Sequence, residues 1–356
     1  MAVFAYYDNN TDGIVYHVKP SSQSESEPSS FDSETDSVIS GTTIESADLP
    51  GYFVLSHGRQ QPASDNIVKW PADNLQLYII RYHVLNCIFG GNYVGPVKEA
   101  LAPTGGRRRQ ALELGTGPGT WVQAMATEFS HVQFRTVDVV PMVSHVPRHN
   151  IVFEVYDFTE GLLLEDQSQD VVFLNIVLEI VKDHRALLHE TYRVLRPGGL
   201  IHVSGFHPHF WDWENISKPA RRTNPRACHF VDLLHQHLSK IGIDSDRGEK
   251  LLQWLAPNSD LWDQAQSGFK NIESVVRTYP AYPHEGYPCM DQIDARISPY
   301  LRQLMIQFLK DTADLIKGSA VDHQEVEQLL EDTLEELSRH EGCTLAKVYC
   351  MHAIKV

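Results

Sequence analysis

The chain has 356 residues, 42% hydrophobic and 21% charged, so it can bury a sizeable core and is not disordered throughout. Its 22 Gly and 5 Cys exclude collagen-like and disulfide-scaffold architectures. Thirty basic against 46 acidic residues give a formal charge of −16, and the tight basic run is Arg107-Arg108-Arg109, which disfavours binding to bulk nucleic acid or an anionic membrane.

Residues 21–50 hold ten Ser, seven Asp or Glu, and no Lys or Arg. Such a stretch buries too little apolar surface to offset its ordering entropy. Residues 1–50 therefore read as a disordered acidic tail, with Ser24, Ser26, Ser33 and Ser37 as candidate kinase substrates. Residues 51–100 read as a helical lid segment, its main helix running from Asp73 to Phe89. Asp73 or Asn74 would cap that helix and Gly90-Gly91 would end it.

From 101 onward short apolar runs alternate with helical patterns. Strands are predicted at 111–114, 132–140, 151–156, 170–177 and 200–206, and helices at 121–129 and 183–195, the latter stopped by Pro197-Gly198-Gly199. Near-continuous apolar strands between helices mean a parallel sheet covered on both faces. Helical insertions are expected at about 207–267 and 290–340, and further strands at 269–279 and 344–355. The stripe Val326, Leu329, Leu330, Leu334 and Leu337 reads as a core-facing helix surface.

The five cysteines are scattered with no CxxC, which points to a reducing compartment and away from a structural zinc site, so no metal is expected. A basic-then-apolar leader pattern is lacking at the start, and no apolar run approaches a membrane span. A cytoplasmic protein is expected, with the nucleus as an alternative.

The most informative stretch is Leu112-Glu113-Leu114-Gly115-Thr116-Gly117-Pro118-Gly119-Thr120-Trp121, a strand entering a glycine turn that opens a helix. Glycines allow positive φ and close ligand approach, and the helix start offers free N–H groups. A dinucleotide GxGxxG reading fits poorly, because Thr120 occupies the place of the third glycine. Glu113 sits where a pyrophosphate site would not want a carboxylate, whereas a cationic ligand would. The spacing E-x-G-x-G-x-G resembles the nucleotide-binding motif of class I methyltransferases, whose ligand S-adenosylmethionine carries a sulfonium and an ammonium.

Supporting residues follow in order. Asp138 ends the second strand, where that family holds the ribose hydroxyls. Asp157-Phe158 follows the third strand, at the family's adenine position. Asp170 opens the fourth, and Leu195-Arg196-Pro197-Gly198-Gly199 resembles the turn before the fifth. The chain further resembles the fungal LaeA-like methyltransferases over roughly 50–355, through Gly51–Leu55, Arg81-Tyr82-His83, Gly119-Thr120-Trp121, Val146–Glu154 and Gly268-Phe269-Lys270. It departs from them at Asn74–Ile80 and at Asn175, both near the expected substrate mouth.

The resemblance implies an α/β Rossmann-like fold with a central, mostly parallel seven-stranded sheet and helices on both faces. It also implies S-adenosyl-L-methionine as cofactor, held by Glu113, Gly115, Thr116, Gly117, Gly119, Asp138, Val139, Asp157, Phe158 and Asn175. Candidate catalytic residues are His207 and His209, in a loop after strand five with His202, Trp211 and Trp213 nearby, and Asn175, beyond strand four. Glu179 could also face the acceptor, and His83 could act as a lid residue. The expected role is O-methylation of a phenol, enol or carboxylic acid in fungal specialised metabolism, with a small-molecule acceptor. The alternative is a LaeA-like nuclear regulator working through protein partners; a third, a binding module without activity, is disfavoured by the intact Glu113–Gly119 motif.

Overall fold

The structure is a computed structural model that describes residues 2–8, 13–19, 51–143, 148–262, 266–287, 290–291, 293–317, 322–339 and 343–356, the first two segments as backbone only. The strands are β1 (Ala2–Asp8), β2 (Gly13–Lys19), β3 (Phe53–Ser56), β4 (Arg59–Pro62), β5 (Gln110–Leu114), β6 (Gln133–Asp138), β7 (Ile151–Val155), β8 (Gln169–Asn175), β9 (Leu195–Asp212), β10 (Phe269–Pro280) and β11 (Thr344–Lys355). The helices are α1 (Leu75–Phe89), α2 (Val97–Ala100), α3 (Thr120–Glu128), α4 (His184–Val194), α5 (Pro225–Lys240), α6 (Arg247–Leu255), α7 (Ser298–Lys317) and α8 (His323–Ser338).

The sheet order is β10-β11-β9-β8-β5-β6-β7-β1-β2, and β3 pairs with β4 apart from it. Neighbours from β7 to β9 run parallel, while β11 is antiparallel to both β9 and β10. The seven strands from β10 to β7 are the expected Rossmann-like sheet. Its chain order reverses between β5 and β8, and a ligand crevice opens beyond the carboxyl ends of strands at such a switch point.

The core follows from the apolar runs. On one face α4 and α6 bury Leu187, Leu188, Leu251 and Leu255 against the sheet; on the other, α2 and α3 bury Val97, Val122, Met125 and Ala126. A separate cluster joins α5, α7 and α8 into a helical cap. Within it Val326, Leu329, Leu330 and Leu337 are buried and Leu334 is half-buried, so the predicted stripe does face a core. Each such side chain is worth about 1.5–3 kcal/mol of burial.

Several local expectations hold for identifiable reasons. The Asn74 side chain accepts the Leu77 N–H at 3.2 Å, and Gly90 ends α1 with φ 75°. Asp183 caps α4 through the Ala186 N–H at 2.9 Å. The basic run serves the fold: Arg107 and Arg109 donate to Asp170 at 2.6 and 2.7 Å, pinning the amino-terminal ends of β5 and β8.

Other expectations need correction. Two parts of the predicted tail, Ala2–Asp8 and Gly13–Lys19, are strands: β1 pairs antiparallel with β2 and with β7 and extends the sheet to nine. Their β-branched and aromatic composition outweighs the polar stretch that follows. The remainder of that tail, with its serines, lies outside the described residues. The lid segment begins with the β3–β4 hairpin, and α2 at its end packs under the sheet. Helix α4 ends at Val194, before Pro197-Gly198-Gly199, which lie within β9. The stretch 207–212 is strand, because β11 pairs with it as far as Asp212. Cys343 is disulfide-bonded, while Cys87, Cys228 and Cys350 are free thiols. Among the described residues no helix is long and apolar enough to cross a membrane, and no cluster of three or more His, Cys, Asp or Glu could hold a metal.

Candidate active site

The turn after β5 is anchored by backbone bonds from Gly115 N–H to the Val137 carbonyl (2.8 Å) and from Gly119 N–H to the Thr116 carbonyl (2.9 Å). Gly115 (φ 85°) and Gly119 (φ 75°) both occupy the left-handed region, and a Cβ on Gly115 would lie 2.9 Å from Val177. Glycine is therefore required by both backbone and space.

Glu113 is 2% exposed beneath this turn. Thr136 donates to it at 2.7 Å and is itself 2.7 Å from the Thr116 hydroxyl. Burial pushes the Glu113 carboxyl up to about 8, against the pull of Thr136 and the Asn175 amide. Asp138 accepts the N–H groups of Gly117 (2.7 Å), Val139 (2.8 Å) and Val140 (3.3 Å). Burial raises it too, with those backbone bonds opposing. Among the described residues neither acid has a cationic partner. A buried and a half-buried acid without a counter-cation suit a positively charged ligand.

Both acids line a cavity of about 410 Å³ at the carboxyl edge of the sheet, within the range for small-molecule sites. Gly115, Thr116, Gly117, Val139, Phe158 and Asn175 join them there. Gly119 and Asp157 do not. Gly119 instead forms the left-handed cap of α3. The Asp157 carboxylate is taken by the Thr159 N–H (3.0 Å) and the Ser64 hydroxyl (2.5 Å), which tie the amino-terminal segment to the sheet.

The cavity continues under α1, α5 and α7 as an apolar chamber with Phe89, Phe206, Phe210, Leu301, Met305 and Phe308 on its walls. His207 and His209 line it, from a strand rather than the expected loop. Burial lowers both, His209 to about 4, so both are neutral near pH 7. His209 packs against His235 at 4.6 Å, and His207 against Tyr349 at 5.1 Å. His83 is exposed on α1 and lies outside the cavity walls.

Glu179 also lines the chamber. Its Oε1 accepts from the Phe206 N–H (2.9 Å) and the Tyr349 hydroxyl (3.4 Å), and burial raises its carboxyl to about 7. Ile176, between Asn175 and Glu179, has φ 59°, a strained conformation for a β-branched residue that turns this segment along the cavity. Sequence reading missed Tyr78, Arg81, Arg247 and Tyr349 as cavity residues. The spacing of Tyr78 and Arg81 on one helix face was the available signal for two of them.

This fold and site resemble those of class I S-adenosylmethionine-dependent methyltransferase domains. Residues 112–203 match the methyltransferase-domain family model. The chain resembles the LaeA-like members: it is 26% identical over 275 residues to the secondary metabolism regulator laeA of Coprinopsis cinerea, covering 75% of this chain and 64% of that protein. A malonyl-(acyl-carrier protein) O-methyltransferase of Hahella chejuensis is 31% identical over 94 residues, covering 25% of this chain and 34% of that enzyme. The phosphoethanolamine N-methyltransferase 2 of Haemonchus contortus in complex with S-adenosyl-L-methionine aligns with TM-score 0.41 and 17% identity, over 83% of this chain and 61% of that one. This chain thus spans less than two thirds of the length of these relatives.

Proposed function

We propose that the protein methylates a small molecule at oxygen, with S-adenosyl-L-methionine as donor and a phenol, enol or carboxylic acid as acceptor. The observation that carries this reading is the acid pair of buried Glu113 and half-buried Asp138, without a counter-cation among the described residues, beneath a glycine turn that opens into an apolar chamber. When bound, the cofactor supplies an electrophilic methyl group on a sulfonium. Glu113 and Asp138 would hold its cationic and hydroxyl parts, and Phe158 offers an apolar surface beside them. Helices α1, α5 and α7 cover the chamber, which excludes water and fixes the acceptor's approach. Glu179, His207 and His209 are the groups placed to take a hydroxyl proton; a carboxylate acceptor needs none of them.

The relative named as an O-methyltransferase supports the acceptor atom, and the resemblance to a secondary metabolism regulator supports a place in fungal specialised metabolism; a cytoplasmic or nuclear location belongs to the same proposal. That same relative, named as a regulator, favours a second reading in which the site serves regulation through protein partners. Isothermal titration with S-adenosylmethionine and S-adenosylhomocysteine is the first test. Micromolar binding of both, followed by labelled-methyl transfer to small acceptors, is the expected result. Folded protein that binds neither would overturn the enzymatic reading.

A further inference from the structure

The acceptor chamber contains a cation without a counter-ion. Arg81, on α1, lines the cavity with its guanidinium 4.6 Å from the centre of the Tyr78 ring. Among the described residues it forms no salt bridge within 4.0 Å, unlike Arg59, Arg107, Arg193 or Arg221. Burial lowers its affinity for a proton; Tyr78 and Glu179 are the groups that oppose this. Glu179 is a poor counter-ion for it: one oxygen already accepts from Phe206 and Tyr349, and the carboxyl, raised to about 7, is only partly ionised near neutral pH. Arg247, the other guanidinium on the cavity wall, is occupied by the carbonyls of Leu178, Val181 and Lys182.

A guanidinium drawn out of water into an apolar chamber costs free energy unless an anion meets it. Its planar fork suits a carboxylate, which it can hold by two parallel hydrogen bonds. As the unmatched acid Glu113 implies a cationic ligand, the unmatched base Arg81 in the same cavity implies an anionic one. Tyr78 links Arg81 to the glycine turn, since its ring lies 3.5 Å from where a Cβ on Gly117 would stand.

We infer that Arg81 is the carboxylate-binding residue of this cavity. The inference rests on the methyltransferase reading and deepens it. Two sources could supply the carboxylate: the amino-acid end of the cofactor, or an acidic acceptor held beside it.

The experiment compares the full chain with Arg81→Gln and Arg81→Lys by calorimetry, using three probes. S-adenosylhomocysteine carries the amino-acid carboxylate, 5′-methylthioadenosine lacks it, and 2-naphthoate stands for an apolar acidic acceptor. If the cofactor supplies the carboxylate, Arg81→Gln weakens S-adenosylhomocysteine roughly 10- to 100-fold and leaves methylthioadenosine unchanged, with partial recovery in Arg81→Lys. If the acceptor supplies it, S-adenosylhomocysteine binding is unchanged, while naphthoate binding to the S-adenosylhomocysteine-loaded protein falls by a similar factor. Either pattern supports the assignment. Unchanged binding of both carboxylates, or an equal loss for methylthioadenosine, overturns it. A wild-type chain that binds none of the adenosyl probes removes the methyltransferase reading itself.

Discussion

Two acids mark opposite ends of the same pair of strands, and they are treated in opposite ways. At the amino-terminal end, Asp170 is met by Arg107, Arg109 and the Gln110 N–H; burial alone would raise it, but these partners outweigh burial and hold it below its usual range. At the carboxyl end, Glu113 is met by the neutral Thr136 and Asn175 side chains and by no cation among the described residues, and burial, with the like charge of Asp138 nearby, raises it to about 8. Both are buried, at 4% and 2% exposed. Depth therefore does not distinguish an acid that holds a fold from one that awaits a ligand; the charge of its neighbours does.

Substitutions at the two acids test this contrast. The largest effect is expected from Glu113→Ala, which should weaken S-adenosylmethionine binding by about 100-fold, near 2.7 kcal/mol, with little change in Tm. Because the cation needs the ionised carboxyl, wild-type affinity should climb as pH rises toward about 8 and then level off, with a proton released on binding. Calorimetry in buffers of different ionisation enthalpy reads this directly, and a pH-independent affinity would dissolve the contrast. Asp170→Ala should do the reverse. It should cost about 2 kcal/mol of stability, reduced from the figure for a fully buried pair because Arg107 is 39% exposed, and leave the cofactor Kd unchanged. Thermal denaturation beside the same titration checks both halves.

The smallest effect concerns stability against pH. Glu113, Glu154 and Glu179 are raised to about 8, 7 and 7, so the stability from their protonated forms is fully present below the ordinary value of 4.5 and lost as pH rises through 7 to 8. His184, His202 and His209 are lowered to about 4, 3 and 4, so their contribution is present above 6.5 and lost as pH falls through the acid range. The two sets offset each other between these limits, so the ligand-free protein should be most stable between about pH 4.5 and 6.5, and saturating cofactor should flatten the alkaline side. Tm values across pH, with and without S-adenosylhomocysteine, decide this.

The same division explains what could be read from the sequence. The glycine-turn half of the cavity was legible because it is set by local requirements: glycines at backbone positions that demand them, Glu113 two residues before Gly115, and Asp138 at a strand end. Asp157 fell at the expected place but was taken by Ser64, a partner 93 residues away in sequence. The acceptor half was mostly illegible because distant segments build it. Glu179 is fixed by Phe206 and Tyr349, and Arg81 arrives from a helix that precedes the glycine turn. His207-Pro208-His209 reads as a loop by composition, yet pairing with β11 extends the strand through it. The β1–β2 hairpin shows the converse error, in which the composition of a long polar stretch obscured two short strands beside it.

Strand β11 carries a consequence for cooperativity. It lies antiparallel between β9 and β10, so β10 is joined to the sheet through it alone. Amide protons of β10 therefore cannot outlast those of β11 in hydrogen exchange, because any opening that frees β11 also frees β10. Tyr349 sits on that strand, so the same opening would release Glu179 from its hydroxyl partner. The cavity wall at Glu179 thus opens at least as often as this seam of the sheet does.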